Sequence, residues 1–190
     1  MELKSIFVDE DSGEGLYSMQ YDGENLDEFE RLLDLWNDTQ YLSTYLLNNS
    51  KFLNTPYFRI SHNDAMTKIL EEAEELENII YGYCEKGFGE GENLQMIFKQ
   101  LENKDTKMPV YQFSKAKIDS RKFPRFLRFY AIRISENTYI ITGGAIKLSL
   151  YMSEHEDTKR ELEKLELSKK FLIDNEISNL DDINYYYEQS

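Results

Sequence analysis

The sequence predicts an α+β protein: helices in most of the first half, an antiparallel β-meander in the second, and a closing helix. Three observations carry this reading. Met66, Ile69, Leu70, Ala73, Leu76, Ile80 and Tyr83 recur at helical spacing, an apolar stripe with a polar back. Between 110 and 148 the composition turns aromatic and β-branched, in three runs bounded by turn residues. Behind them Leu162, Leu165 and Leu172 share one helical face.

Taken in order, Leu3, Ile6 and Val8 form one short strand and Leu16 to Tyr21 a second, across the turn-rich DEDSGEG. Asn25 and Glu28 have capping-box spacing, and Phe29, Leu32, Leu33 and Trp36 follow at helical intervals. A helix is expected from about Asn25 to Leu47, with a break near Asn37-Asp38. Ser61 and Asp64 cap the striped helix, which the glycines at 82, 87, 89 and 91 end. Val110 to Ile118, Phe126 to Ile134 and Tyr139 to Leu148 are the strands, and Ser135-Glu136-Asn137 is a hairpin loop. In the helix from about Asp157 to Ile173, Glu166 is placed to pair with Lys170.

At 190 residues with 41% hydrophobic content the chain can bury its own core as one domain. The expected organisation is a single domain over 1–176, comprising a helical half (1–92), a meander (104–150) and a helix (157–173), with an acidic tail over 177–190. The lone Cys84 cannot form an internal disulfide, which suits a reducing cytoplasm. His62 and His155 stand far apart, a poor basis for a zinc site. The N-terminus lacks the basic start and apolar run of a signal peptide, and no segment approaches the ~20 apolar residues of a membrane span. The expectation is a cytoplasmic protein without a membrane partner.

Charge is distributed unevenly. The net charge is −14, yet residues 104–147 hold ten basic and three acidic residues, or +7. A local cationic surface binds phosphate over distances near the screening length of roughly 8 Å, even on an anionic body. Strand alternation groups Lys115 and Lys117 with Tyr111 and Phe113, and Arg128 with Phe126, Tyr130 and Ile132. Lys147 shares a side with Tyr139, Ile141 and Ala145 unless Gly143-Gly144 makes a bulge that re-aims it. Preorganised cations stabilise a pentacoordinate phosphate, and nearby rings stack on bases. The competing reading makes these cations solvated sheet residues, or partners for Glu71, Glu72, Glu74, Glu75 and Glu77 on the striped helix. Gly143-Gly144 lacks the spacing of a Walker loop and reads as a bulge or close packing. His62 and His155 read as solvent-facing residues near helix starts, and Glu71 with Glu75 as a solvated face.

The string Arg125-Phe-Leu-Arg128-Phe-Tyr130-Ala-Ile-Arg133-Ile, then Tyr139-Ile-Ile-Thr142-Gly-Gly-Ala-Ile-Lys147 and an apolar-charged helix, resembles the RelE/HigB/ParE superfamily of toxin–antitoxin toxins, over roughly Leu94 to Leu172. The resemblance implies two N-terminal helices packed on a twisted antiparallel sheet with a C-terminal helix. For RelE-like members it implies cofactor-free, metal-independent endoribonuclease action on mRNA at the ribosome, the ribose 2′-hydroxyl attacking the adjacent phosphate. It places Lys115 and Lys117 as basic residues of the preceding strand, Arg128 on the scissile phosphate, Tyr130 as a stacking or positioning group and Lys147 as support for developing charge. It also implies an antitoxin partner, often a helix-turn-helix protein. Two alternatives remain: a ParE-like topoisomerase-blocking toxin, and a non-catalytic interaction module whose first 103 residues, with 22 acidic against 7 basic, bind a basic partner. The chain departs from the family pattern in its length, its acidity and its paired glycines.

Overall fold

A computed structural model describes residues 1–85, 93–101, 111–118, 124–148 and 156–189. Strands β1 (Glu2–Val8) and β2 (Gly15–Gln20) precede helices α1 (Glu28–Asn37), α2 (Thr39–Asn48), α3 (Ser50–Leu53) and α4 (His62–Glu85). A 3-10 turn (Leu94–Met96), β3 (Phe98–Gln100), β4 (Gln112–Ala116), β5 (Leu127–Arg133) and β6 (Tyr139–Ile146) follow, then α5 (Glu156–Asp174) and α6 (Leu180–Gln189).

The strands form one six-stranded sheet in the order β1-β2-β6-β5-β4-β3. β4, β5 and β6 are the expected antiparallel meander, with the turn at 135–137. The expectation of a wholly antiparallel sheet is corrected at one pair: β2 and β6 run parallel, Leu16 to Ser18 beside Tyr139 to Ile141. The long connection between them, which contains four helices and the strands β3 to β5, lets β6 return in the direction of β2.

The expected Asn25–Leu47 helix is two helices, because Asp38 takes an extended backbone and its carboxylate accepts from Gln40 N and Tyr41 N, starting α2. The α1 cap is Asp27, accepting from Phe29 N and Glu30 N, and not Asn25. At α4, Ser61 Oγ accepts from Asp64 N at 3.1 Å, the cap the spacing predicts, and donates to the Asp64 carboxylate at 2.6 Å. Two N-terminal helices therefore become four, since α3 adds a short turn.

The acidic tail is also structured. The Asp182 carboxylate accepts from Ser178 N, Ser178 Oγ and Asn179 N, and Ile183 is fully buried. Tyr187 donates to Leu3 O at 2.8 Å.

Alternation divides the sheet between two cores. On one side Phe98, Ala116, Leu127, Phe129, Ala131, Tyr139, Ile141 and Ile146 face the four N-terminal helices, with Trp36 against Phe129 at 4.8 Å and Phe58 stacked on Phe126 at 4.8 Å. On the other, Tyr111, Phe113, Tyr130, Ile132, Ile140 and Ala145 face Leu165 and Leu172 of α5 and Ile183 of α6.

The β5–β6 register shifts once: Tyr130 pairs with Gly143, but Ala131 pairs with Ile141, so Thr142 is an extra residue. Tyr139 and Ile141 thus face the N-terminal helices, while Ala145 faces α5. Among the described residues no helix is long and apolar enough to cross a membrane.

Candidate functional site

The bulge at Thr142 decides where the cations meet. It moves Lys147, flanked by Ile146 and Leu148 of the first core, to the α5 side, and Lys147 N still donates to Phe126 O at 2.6 Å. Lys117, flanked by Ala116 and Ile118 of the first core, also faces the α5 side. Lys115 pairs with Tyr130 and Arg128 with Ala145, and the β4–β5 register carried one residue further sets Lys117 beside Arg128. Lys115, Lys117, Arg128 and Lys147 therefore occupy neighbouring positions on one face of three adjacent strands.

Their exposures differ. Lys115, Lys117 and Lys147 are half-buried, and none of these or Arg128 is without an interaction. Arg128 is 8% exposed and donates to Leu127 O. Tyr130 is 1% exposed, and burial holds its hydroxyl well above the usual phenol range, so it stays protonated. The surface stacking role expected of Tyr130 does not fit a ring packed among Phe113, Ile132 and Leu165.

Two α4 glutamates engage the start of β5, and the charge of Arg128 acts on one of them, Glu72. Arg125 donates to Glu75 at 2.9 Å. Glu72 accepts from Phe126 N at 2.8 Å and Leu127 N at 2.9 Å, anchoring the start of β5, and burial raises its carboxyl pKa. Arg133 is held by Gln112 and Ser135 O. Lys104, Lys107, Arg121, Lys122 and His155 lie outside the described residues.

Beside the cation row lies a cavity of about 420 Å³, and Ala145, the register partner of Arg128, lines it. It lies where β2 leaves β6: their pairing ends at Ser18–Ile141, and Tyr21, α1 and α2 then stand against Gly144 to Ile146, with α5 closing the far side. Tyr21 donates to Thr142 O at 2.7 Å and its oxygen accepts from Ser168 Oγ at 2.9 Å. Tyr45 donates to Asp157 at 2.8 Å and to Ile146 O at 3.3 Å. The two hydroxyls bond backbone carbonyls at either end of this strand segment.

A charged chain runs through the cavity wall. Arg31 grips Glu28 with two donors at 2.8 and 2.9 Å, and Lys164 donates to the same carboxylate at 2.8 Å. Lys164 also stands 3.5 Å from Glu161 Oε1. Among the described residues Glu161 Oε2 has no hydrogen-bond partner, and its side chain is only 8% exposed. Desolvation raises Glu161 to about 7, opposed by Lys164 and assisted by the charge on Glu28. Two glycines make room here. A Cβ on Gly143 would come within 1.8 Å of Glu161 Oε2, and one on Gly144 would meet Arg128 O at 2.7 Å and Leu32 at 2.8 Å. Close packing, and not phosphate cradling, is the role of this pair.

Sequence reading missed Tyr21, Glu28, Arg31, Tyr45, Asp157, Glu161 and Lys164. One signal was present: Asp157, Glu161, Lys164 and Ser168 follow helical spacing beside the apolar Leu165 and Leu172, a polar stripe bordering a core-facing one. His62 bonds Ser43 O and Asn63, tying α4 to α2. Among the described residues no group of three or more His, Cys, Asp or Glu is arranged to hold a metal ion. No protein-family model, no curated protein and no solved structure matches the chain.

Proposed function

We propose that this protein is a RelE-like toxin that binds an RNA backbone on its cation row and acts as an mRNA endoribonuclease held in check by an antitoxin. The observation that supports the reading is the placement of Lys115, Lys117, Arg128 and Lys147 on neighbouring positions of one sheet face, within a chain of net charge −14. In the reaction the ribose 2′-oxygen bonds the adjacent phosphorus, the bond to the 5′-oxygen breaks, the 2′-hydroxyl proton is lost and the departing 5′-oxygen gains one. Arg128 and Lys117 neutralise the extra charge on the phosphorane, Lys147 supports it from β6, and Lys115 holds the flanking phosphate. Tyr130 is a positioning residue: buried beneath α5, it fixes the strand that carries Arg128.

Purified protein incubated with translating ribosomes tests this reading. Cleavage products should appear, and Lys117→Ala and Arg128→Ala should each lower the rate by about 10²-fold, the scale of a lost transition-state donor. Absence of cleavage, with growth inhibition untouched by either substitution, would overturn the nuclease reading. The burial of Arg128 and Tyr130 favours a second reading, a non-catalytic interaction module of the same architecture. Under it, partner capture survives both substitutions. A supercoiling assay separates the topoisomerase-blocking variant from both.

A further inference from the structure

The cavity between α1, α2, the free side of β6 and α5 is built for a neutral, flat ligand rich in hydrogen-bond donors, and we propose that it holds a guanine base. Shape comes first. The sole tryptophan, Trp36, 1% exposed and packed on Phe129, forms part of the wall, and the half-buried Tyr41 and Tyr45 offer ring surface to an aromatic ligand.

Charge is the second constraint. Glu28 is already matched by Arg31 and Lys164, and Arg160 stands 3.9 Å from Asp157, so the walls are largely compensated from within. A strongly charged ligand gains little there. What the wall lacks is donors for one carboxylate: Glu161 sits nine-tenths buried with Oε2 unpaired and Oε1 only 3.5 Å from Lys164. Leaving such an acceptor unsatisfied is costly, and a ligand that supplies the missing donor recovers that cost. Oε2 lies against Gly143, and turning the carboxyl about its soft terminal torsion brings both oxygens to the cavity when a ligand enters.

Among the common bases guanine presents two adjacent donors on its Watson–Crick edge, the ring N1–H and the N2 amino group, in the geometry that a carboxylate accepts. Adenine and cytosine each present one amino donor beside an acceptor, which a carboxylate repels. Position adds a further argument. Ala145 borders the cavity and pairs with Arg128, so a nucleotide whose phosphate lies on the cation row has its base beside this opening. That coupling of base and phosphate rests on the nuclease reading, whereas the base site itself stands independently.

Binding requires the ionised carboxylate, and burial pushes the Glu161 pKa up to about 7. The groups facing it are Lys164 on its own helix, Glu28 and Arg31 from α1, Tyr130 from β5, and Tyr21. Guanine affinity should therefore rise as pH increases from 6 to 8.

Trp36 fluorescence reads the site directly. Titration with GMP and with guanosine should give a saturable change, with AMP, CMP and UMP at least about tenfold weaker, the scale of one bidentate base contact. Inosine monophosphate, which lacks the amino group, should fall between. Glu161→Gln, similar in shape, should weaken GMP by about tenfold and remove the pH dependence. Because discrimination among wild-type titrations needs no variant, a misfolded substitution does not spoil the test. Equal affinity for GMP and AMP would overturn the proposal, as would no response to either. Competition by methylguanidine but not by guanosine would assign the cavity to an arginine side chain of a protein partner and equally overturn it. Failure of ribosome cleavage alongside selective GMP binding would remove the nuclease reading and leave the base site standing.

Discussion

Glu72 and Glu161 are both buried glutamates on helices packed against the sheet, one on each face, and they are satisfied differently. Glu72 accepts two backbone N–H groups from Phe126 and Leu127 at 2.8 and 2.9 Å, donors that the start of β5 would otherwise leave without a partner. Glu161 has one distant lysine and an oxygen with no partner, beside a cavity. The same side chain is thus a finished structural latch in one region and a half-satisfied acceptor in the other. Burial of a charged group marks a functional site when its hydrogen bonds are incomplete, not merely because it is buried.

This contrast sets the order of expected effects. Glu72→Ala should be the most damaging, costing about 4 kcal/mol in urea denaturation, because it leaves two buried donors unpaired. A loss under 1 kcal/mol would show that water replaces the carboxylate there.

Glu161→Gln should act in the opposite direction. The folded carboxyl is raised from 4.5 to about 7, so the native state holds its proton more tightly than the unfolded chain. Stability from this group is complete below pH 4.5 and is lost as pH rises through 7. At pH 4 the variant and the parent should unfold alike, and at pH 8 the variant should be more stable by about 3 kcal/mol. Equal stability at both pH values would mean that Glu161 is not desolvated.

Arg125→Ala should have the smallest effect. Its ion pair with Glu75 is partly solvated, with side chains 25% and 46% exposed, and removal should cost under about 1 kcal/mol, less in high salt. A large, salt-insensitive loss would place Arg125 with Glu72 as part of the latch.

Much of the fold can be read from the residues because local signals and tertiary packing agree. The Ser61–Asp64 cap, the α4 stripe, the hairpin at 135–137 and the three meander strands are each set by neighbours in sequence. The exceptions depend on distant contacts. β3 and α3 are too short for periodicity to register. α6 reads as a polar tail because only Ile183 among its residues is fully buried. The parallel β2–β6 pair joins segments more than a hundred residues apart.

The candidate site divides similarly. Alternation grouped Lys115 with Lys117 on one strand and Arg128 with Tyr130 on the next, the register joins the two groups, and the glycines flagged the irregularity that brings Lys147 to them. The cavity was not visible from any one segment, since Tyr21, Glu28, Tyr45 and Glu161 come from four elements that only the folded chain assembles.

The salt dependence of single-stranded RNA binding tests most directly whether the four sheet cations act together on a phosphate backbone. With about four phosphates neutralised, log K should fall against log salt with a slope near −3, and Lys115→Ala and Lys147→Ala should each make it shallower by about 0.7. A flat dependence, or slopes unmoved by either substitution, would contradict a shared backbone site.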